Sequence, residues 1–93
     1  MQFEWDDDKN RLNKAKHGIS FELAAQVWSD PLHWCYFDRF DDGESRMHCV
    51  GTVSAATILL VVYVDRDENG EDIIRIIGAR RATAHEKRAY TKG

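Results

Sequence analysis

Ninety-three residues with a formal net charge of −3 make one domain's worth of chain, too short for two cores. The 43% apolar share is enough to build that core, and the 31% charged share speaks against disorder. No run approaches the roughly 20 apolar residues of a membrane span, and the N-terminus lacks the basic start and apolar centre of a secretion signal. A soluble, cytoplasmic protein is expected. Cys35 and Cys49 make no disulfide framework and are expected as reduced, half-buried strand residues.

In chain order, Phe3-Glu4-Trp5 reads as a short extended entry. Asp6 can cap a first helix, with Asp7 and Asp8 in its first turn and Lys14, Lys16 and His17 in its last. Gly18 supplies the stop, and Leu12 and Ala15 form a thin apolar seam. Ser20 starts a second helix whose Phe21, Ala24, Ala25 and Trp28 recur at helical spacing, and Ser29-Asp30-Pro31 ends it. Four strands follow. Leu32 to Asp38 and Arg46 to Val53 flank the hairpin signal Asp41-Asp42-Gly43-Glu44. Thr57 to Val64 is nearly all apolar, as a central strand would be, and Ile73 to Ala79 forms the last strand beyond an acidic turn from Asp67 to Asp72. Thr83-Ala84-His85-Glu86 has the form of a capping box and opens a short terminal helix. Consecutive, hairpin-linked strands between helices predict an α+β fold: two N-terminal helices, a four-stranded, mainly antiparallel sheet and a short C-terminal helix. The whole chain, 1–93, is expected to be one domain.

Charge is uneven along this order. Residues 1–45 carry ten acids against five bases, whereas residues 73–93 carry six bases against Glu86 alone. That end can attract an anion despite the negative total, although a solvated basic helix would have the same composition. Arg75 interrupts an apolar strand and must meet a carboxylate, such as Asp65 or Glu44, or line an open cleft. Arg80 and Arg81 leave the strand toward opposite faces, and their planar guanidinium groups suit phosphate. Gly78 removes a side chain beside them. Glu86 is either the capping acid or a carboxylate that orients a guanidinium or takes a proton. Tyr90, one turn on, can stack on a base or pack on the sheet. Lys16 and His17 either transfer protons or complement the helix dipole. Glu44 and Arg46 lie two residues apart on one strand face. His33, Cys35, His48 and Cys49 bring nitrogen and sulfur groups onto pairing strands, but His48 and Cys49 point to opposite faces and no Cys-x-x-Cys spacing exists. No metal site and no cofactor is expected.

These motifs together resemble the BrnT toxins. The likeness lies in Phe3-Glu4-Trp5-Asp6, Lys9, Asn13, Lys16 to Glu22 and Asp30-Pro31. It continues in Glu44-x-Arg46, Val50-Gly51, Leu60 to Tyr63, Arg75 to Thr83 and Glu86-x-x-x-Tyr90. Gly78 departs from the family, which usually has serine there. The resemblance implies a RelE-like fold and a metal-independent endoribonuclease toxin that inhibits translation. Its implied partners are RNA and a BrnA-type antitoxin, with operator DNA reached only through that antitoxin. In such a site Arg80 and Arg81 would stabilise charge, supported by Arg46 and Arg75. Lys16 or His17 would move protons, and Glu86 and Tyr90 are further candidates. The competing expectation is a non-catalytic module that docks an acidic protein or DNA.

Overall fold

Asp6 accepts hydrogen bonds from the backbone amides of Asp8 and Lys9 at 2.9 and 3.1 Å, which starts α1 (Asp7–His17). Gly18 closes that helix with φ at 73°, as a left-handed stop requires. The computed structural model describes residues 1–54 and 56–92, the side chain of Glu68 excepted. Ser20 caps α2 (Phe21–Ala25), which tightens into a 3₁₀ turn over Gln26–Ser29. The sheet comprises β1 (Gln2–Glu4), β2 (Trp34–Asp41), β3 (Glu44–Ser54), β4 (Thr57–Glu68) and β5 (Glu71–Arg81); α3 (Ala84–Lys92) follows. Strand order is β1-β5-β4-β3-β2, with β1 parallel to β5 and every other pair antiparallel.

The four-stranded expectation is therefore corrected to a five-stranded mixed sheet. Three residues of extended entry carry no periodicity long enough to announce a strand. β1 forms because β5 offers it an open edge at residues 73–75. The long acidic turn is also corrected. Asn69 and Gly70 turn the chain alone, with φ of 54° and 78°, so Asp67 and Asp72 pair across the strands. Asp42 and Gly43 make the same two-residue reversal at φ of 52° and 76°. Both turns have positive φ at each central residue, the geometry whose twist matches antiparallel strands.

α1, α2 and the 3₁₀ turn cover one face of the sheet. Phe21, Ala24 and Val27 are fully buried there with Leu59, Val61 and Ile76, and Trp28 meets Tyr63 edge-on at 5.0 Å. The seam expected on α1 does not form, since no residue of that helix is buried and Leu12 is 64% exposed. Asn13 holds α1 instead. Its amide nitrogen donates to the carbonyls of Ile19 and Ala79 at 2.8 and 2.9 Å, and its oxygen accepts from the Ala79 amide at 3.2 Å. It thus satisfies the edge of β5 where β1 has already ended. Cys35 and Cys49 stand opposite each other across β2 and β3 on this same face and are joined as a disulfide, which corrects the expectation of free thiols.

The second face is treated differently. α3 is tied to β5 through Glu86 and Arg80, and to β3 through Tyr90 and Thr52. It therefore crosses β4 at one end of the sheet. The remainder of that face has no helix across it among the described residues.

Candidate active site

Register decides what the open face presents. Tyr36, His48, Val62 and Gly78 form one row across β2, β3, β4 and β5. Trp34, Val50, Leu60 and Arg80 form the next, toward α3. His48 Nδ1 lies 3.3 Å from the Tyr36 hydroxyl, and its Nε2 lies 3.4 Å from Asp38 Oδ2. A bulge between Phe37 and Arg39 adds Asp38 as an extra residue in β2, which lets its carboxylate reach the histidine. A histidine held between a carboxylate and a hydroxyl has both nitrogens oriented, the arrangement proton transfer needs. Burial, followed by the Glu86 charge, pushes the Tyr36 phenol above its ordinary value, so it remains a proton donor.

Cations flank this group. Arg80 makes a two-pronged contact with Glu86, Nη1 to Oε1 at 2.8 Å and Nη2 to Oε2 at 3.0 Å. Glu86 also caps α3, accepting from the Thr83 amide at 2.8 Å while its own amide donates to the Thr83 hydroxyl at 3.2 Å. The guanidinium beside it, aided by the Thr83 amide, holds the Glu86 carboxyl at about 2. Both readings of Glu86 as cap and as guanidinium partner hold together, but so acidic a group is a poor proton acceptor. On the other side Arg46 has a buried Nε with no hydrogen-bond partner, its carboxylate neighbour being Asp41 at 3.6 Å. This contact runs across the hairpin from β3 to β2.

The remaining sequence candidates are dispersed. Arg75 does meet a carboxylate, but it is Glu4 on β1 at 3.0 Å and neither Asp65 nor Glu44. Arg66 approaches the same Glu4 oxygen at 2.6 Å. Arg81 is exposed and opposes Leu59, on the face away from Arg80. Lys16 and His17 line a shallow groove at the β5 edge with Lys9, Leu12, Asn13 and Ile77, apart from the Tyr36–His48 row. The Tyr90 hydroxyl donates to Asp30 and meets the Thr52 hydroxyl at 3.1 Å, and its ring lines a cavity with Trp34. Asp30 further accepts from the amides of Thr52 and Leu32 at 2.8 and 2.9 Å. In the sequence His48 stands out only as a metal-ligand type beside Cys49, and Tyr36 and Asp38 belong to no motif. The signal available was alternation: Tyr36, His48 and Val62 share a face once the hairpin register is drawn.

The helix-covered sheet with one polar, cation-flanked open face defines a small α+β domain with a candidate site on its uncovered side. A family model described as the ribonuclease toxin BrnT of type II toxin–antitoxin systems matches residues 5–86. The chain belongs to the BrnT family of ribonuclease toxins of type II toxin–antitoxin systems. A search of curated proteins gave no significant match. Among solved structures, the crystal structure of the Brucella abortus ribonuclease toxin BrnT is similar with a TM-score of 0.66 at 24% identity. That likeness covers 89% of this chain and 97% of the other, and it concerns the fold. No helix of the described residues is long and apolar enough to cross a membrane.

Proposed function

We propose that the chain is an endoribonuclease that cuts on the open sheet face around His48, without a metal ion. The observation that carries this reading is His48 set between Tyr36 and Asp38, with Arg80 and Arg46 on either side. RNA supplies its own nucleophile: a new bond forms from the ribose 2′-oxygen to phosphorus, and the bond from phosphorus to the 5′-oxygen breaks. His48 accepts the 2′-hydroxyl proton, and Tyr36 returns one to the departing 5′-oxygen. Arg46 and Arg80 offset charge on the phosphorane oxygens. Asp38 orients the imidazole.

On this reading Lys16 and His17 lose the proton-transfer role their sequence suggested, Arg81 belongs to RNA binding at most, and Arg75 is a structural partner of Glu4. A BrnA-type antitoxin would neutralise the enzyme and carry it to operator DNA. The exposed Phe37 and Phe40 rings, 6.0 Å apart on edge strand β2, favour a protein partner there.

The test is cleavage of single-stranded RNA by the purified chain in excess EDTA. His48→Ala is expected to slow cutting by about 10²–10⁴-fold, and Arg80→Ala by roughly 10²–10³-fold. A substrate with 2′-deoxyribose at the cut site should remain whole. Cleavage by His48→Ala at the parent rate would sink the assignment. No cleavage by the parent, with retained binding of an acidic protein or DNA, would favour the non-catalytic module.

A further inference from the structure

The groove between α3 and the start of β2 is a cavity of about 570 Å³, lined by Leu32, His33, Trp34, Ala89, Tyr90 and Thr91. Specific small-molecule pockets span about 300–1,000 Å³, so its size fits a nucleobase with its sugar. Trp34 is 47% exposed, although indole is a large apolar surface that folding normally hides. Its ring lies 4.7 Å from Tyr36 at an interplanar angle of 35°, and Tyr36 in turn meets His48 edge-on at 5.4 Å. The groove is thus continuous with the candidate active site through two aromatic contacts. Tyr90 closes the opposite wall, and its hydroxyl is anchored on Asp30 and Thr52, so the ring is fixed in place. Arg80 belongs to the same cross-strand row as Trp34, so the open face that the groove joins carries a cation.

We infer that this groove is a base-binding subsite, in which Trp34 stacks a nucleobase of single-stranded RNA next to the scissile phosphate. Aromatic rings beside cations are how single strands are held without reading an edge of the base. Protein docking would use the same indole, but Arg80 in the same row and the direct path to His48 favour a polyanion with flat bases. The inference rests on the ribonuclease reading and adds the residue that seats the substrate. Trp34 touches the base rather than the reacting phosphate, so it acts on binding.

A fully 2′-O-methylated single-stranded RNA oligonucleotide, which has no free 2′-hydroxyl and cannot be cut, is the probe. Trp34→Ala should weaken its binding roughly five- to hundredfold, while Trp34→Phe keeps a stacking ring and should stay within a few-fold of the parent. In cleavage, Trp34→Ala should raise KM with kcat unchanged. In the parent, the oligonucleotide should quench tryptophan fluorescence, and Trp34→Phe should abolish that quenching. This second readout decides the matter even where the alanine variant folds poorly. Equal binding and equal KM for Trp34→Ala, with the parent cutting RNA normally, overturns the subsite and leaves the ribonuclease standing. Trp34-dependent binding by a parent that cuts nothing supports the subsite and sinks the ribonuclease reading. Unchanged oligonucleotide binding with lost antitoxin binding overturns the inference and assigns the groove to a protein.

Discussion

Glu86 shows how one side chain can serve two structures at once. Its Oε1 accepts from both the Thr83 amide and Arg80, so the helix cap and the cross-link to β5 share an atom. Its carboxyl is held at about 2, below the ordinary value of 4.5, mainly by Arg80. A depressed carboxyl contributes stability that is full above its unfolded value and lost as pH falls through the folded one. Glu86→Gln should therefore lower stability near neutral pH by on the order of 1–3 kcal/mol. The gap from the parent should close between about pH 4.5 and 2, as followed by denaturant titration at several pH values. Gly78 gives the opposite expectation. A Cβ there would meet only Val62 at 3.8 and 3.9 Å, ordinary contact distances. Gly78→Ser should fold with stability within about 0.5 kcal/mol of the parent, read by thermal melting.

Elements are held by small numbers of specific contacts. The 3₁₀ turn lies so close to β3 that a Cβ on Gly51 would come within 2.8 Å of Val27 Cγ1 and 3.2 Å of its carbonyl oxygen. Backbone cannot yield as a flexible side chain can, so Gly51→Ala should destabilise by about 1–3 kcal/mol in equilibrium unfolding. That contrast with Gly78→Ser separates a glycine required by packing from one that leaves the open face clear. Asp30 is the matching device for α3, accepting from Thr52, Leu32 and Tyr90. Asp30→Ala leaves those donors unpaired and should cost roughly 1–3 kcal/mol. Hydrogen exchange should then show α3 opening well before α2 and the central strands. Equal protection of α3 in parent and variant would remove Asp30 from that role.

At the scale of the whole molecule, a net charge of −3 coexists with arginines on the open sheet face. Arg46 and Arg80 border the His48 cluster. RNA binding should consequently weaken with salt. Each phosphate contact contributes about −0.7 to the slope of log affinity against log salt for a single strand. Arg46→Ala should make that slope shallower by about 0.7 when binding of the uncleavable oligonucleotide is titrated across salt concentrations.

What the sequence by itself determined is the local and periodic part of this protein. Asp6, Gly18, Ser20 and the Thr83–Glu86 box are governed by their nearest neighbours, so helix ends could be read directly. The apolar run of β4 and the two Asx-Gly turns likewise carry their geometry locally, and the family likeness followed from such blocks in order. The tertiary structure alone decided the rest, because each outcome depends on residues far apart in the chain. β1 needed the free edge of β5, Asn13 needed Ala79 sixty-six positions away, and Arg75 found Glu4 rather than a nearer acid. The site proposed here differs from the sequence candidates for the same reason. Arg80 and Arg81 announced themselves by charge, but strand register and one bulge bring Tyr36, Asp38 and His48 together on the open face, while α1 leaves Lys16 and His17 at its margin.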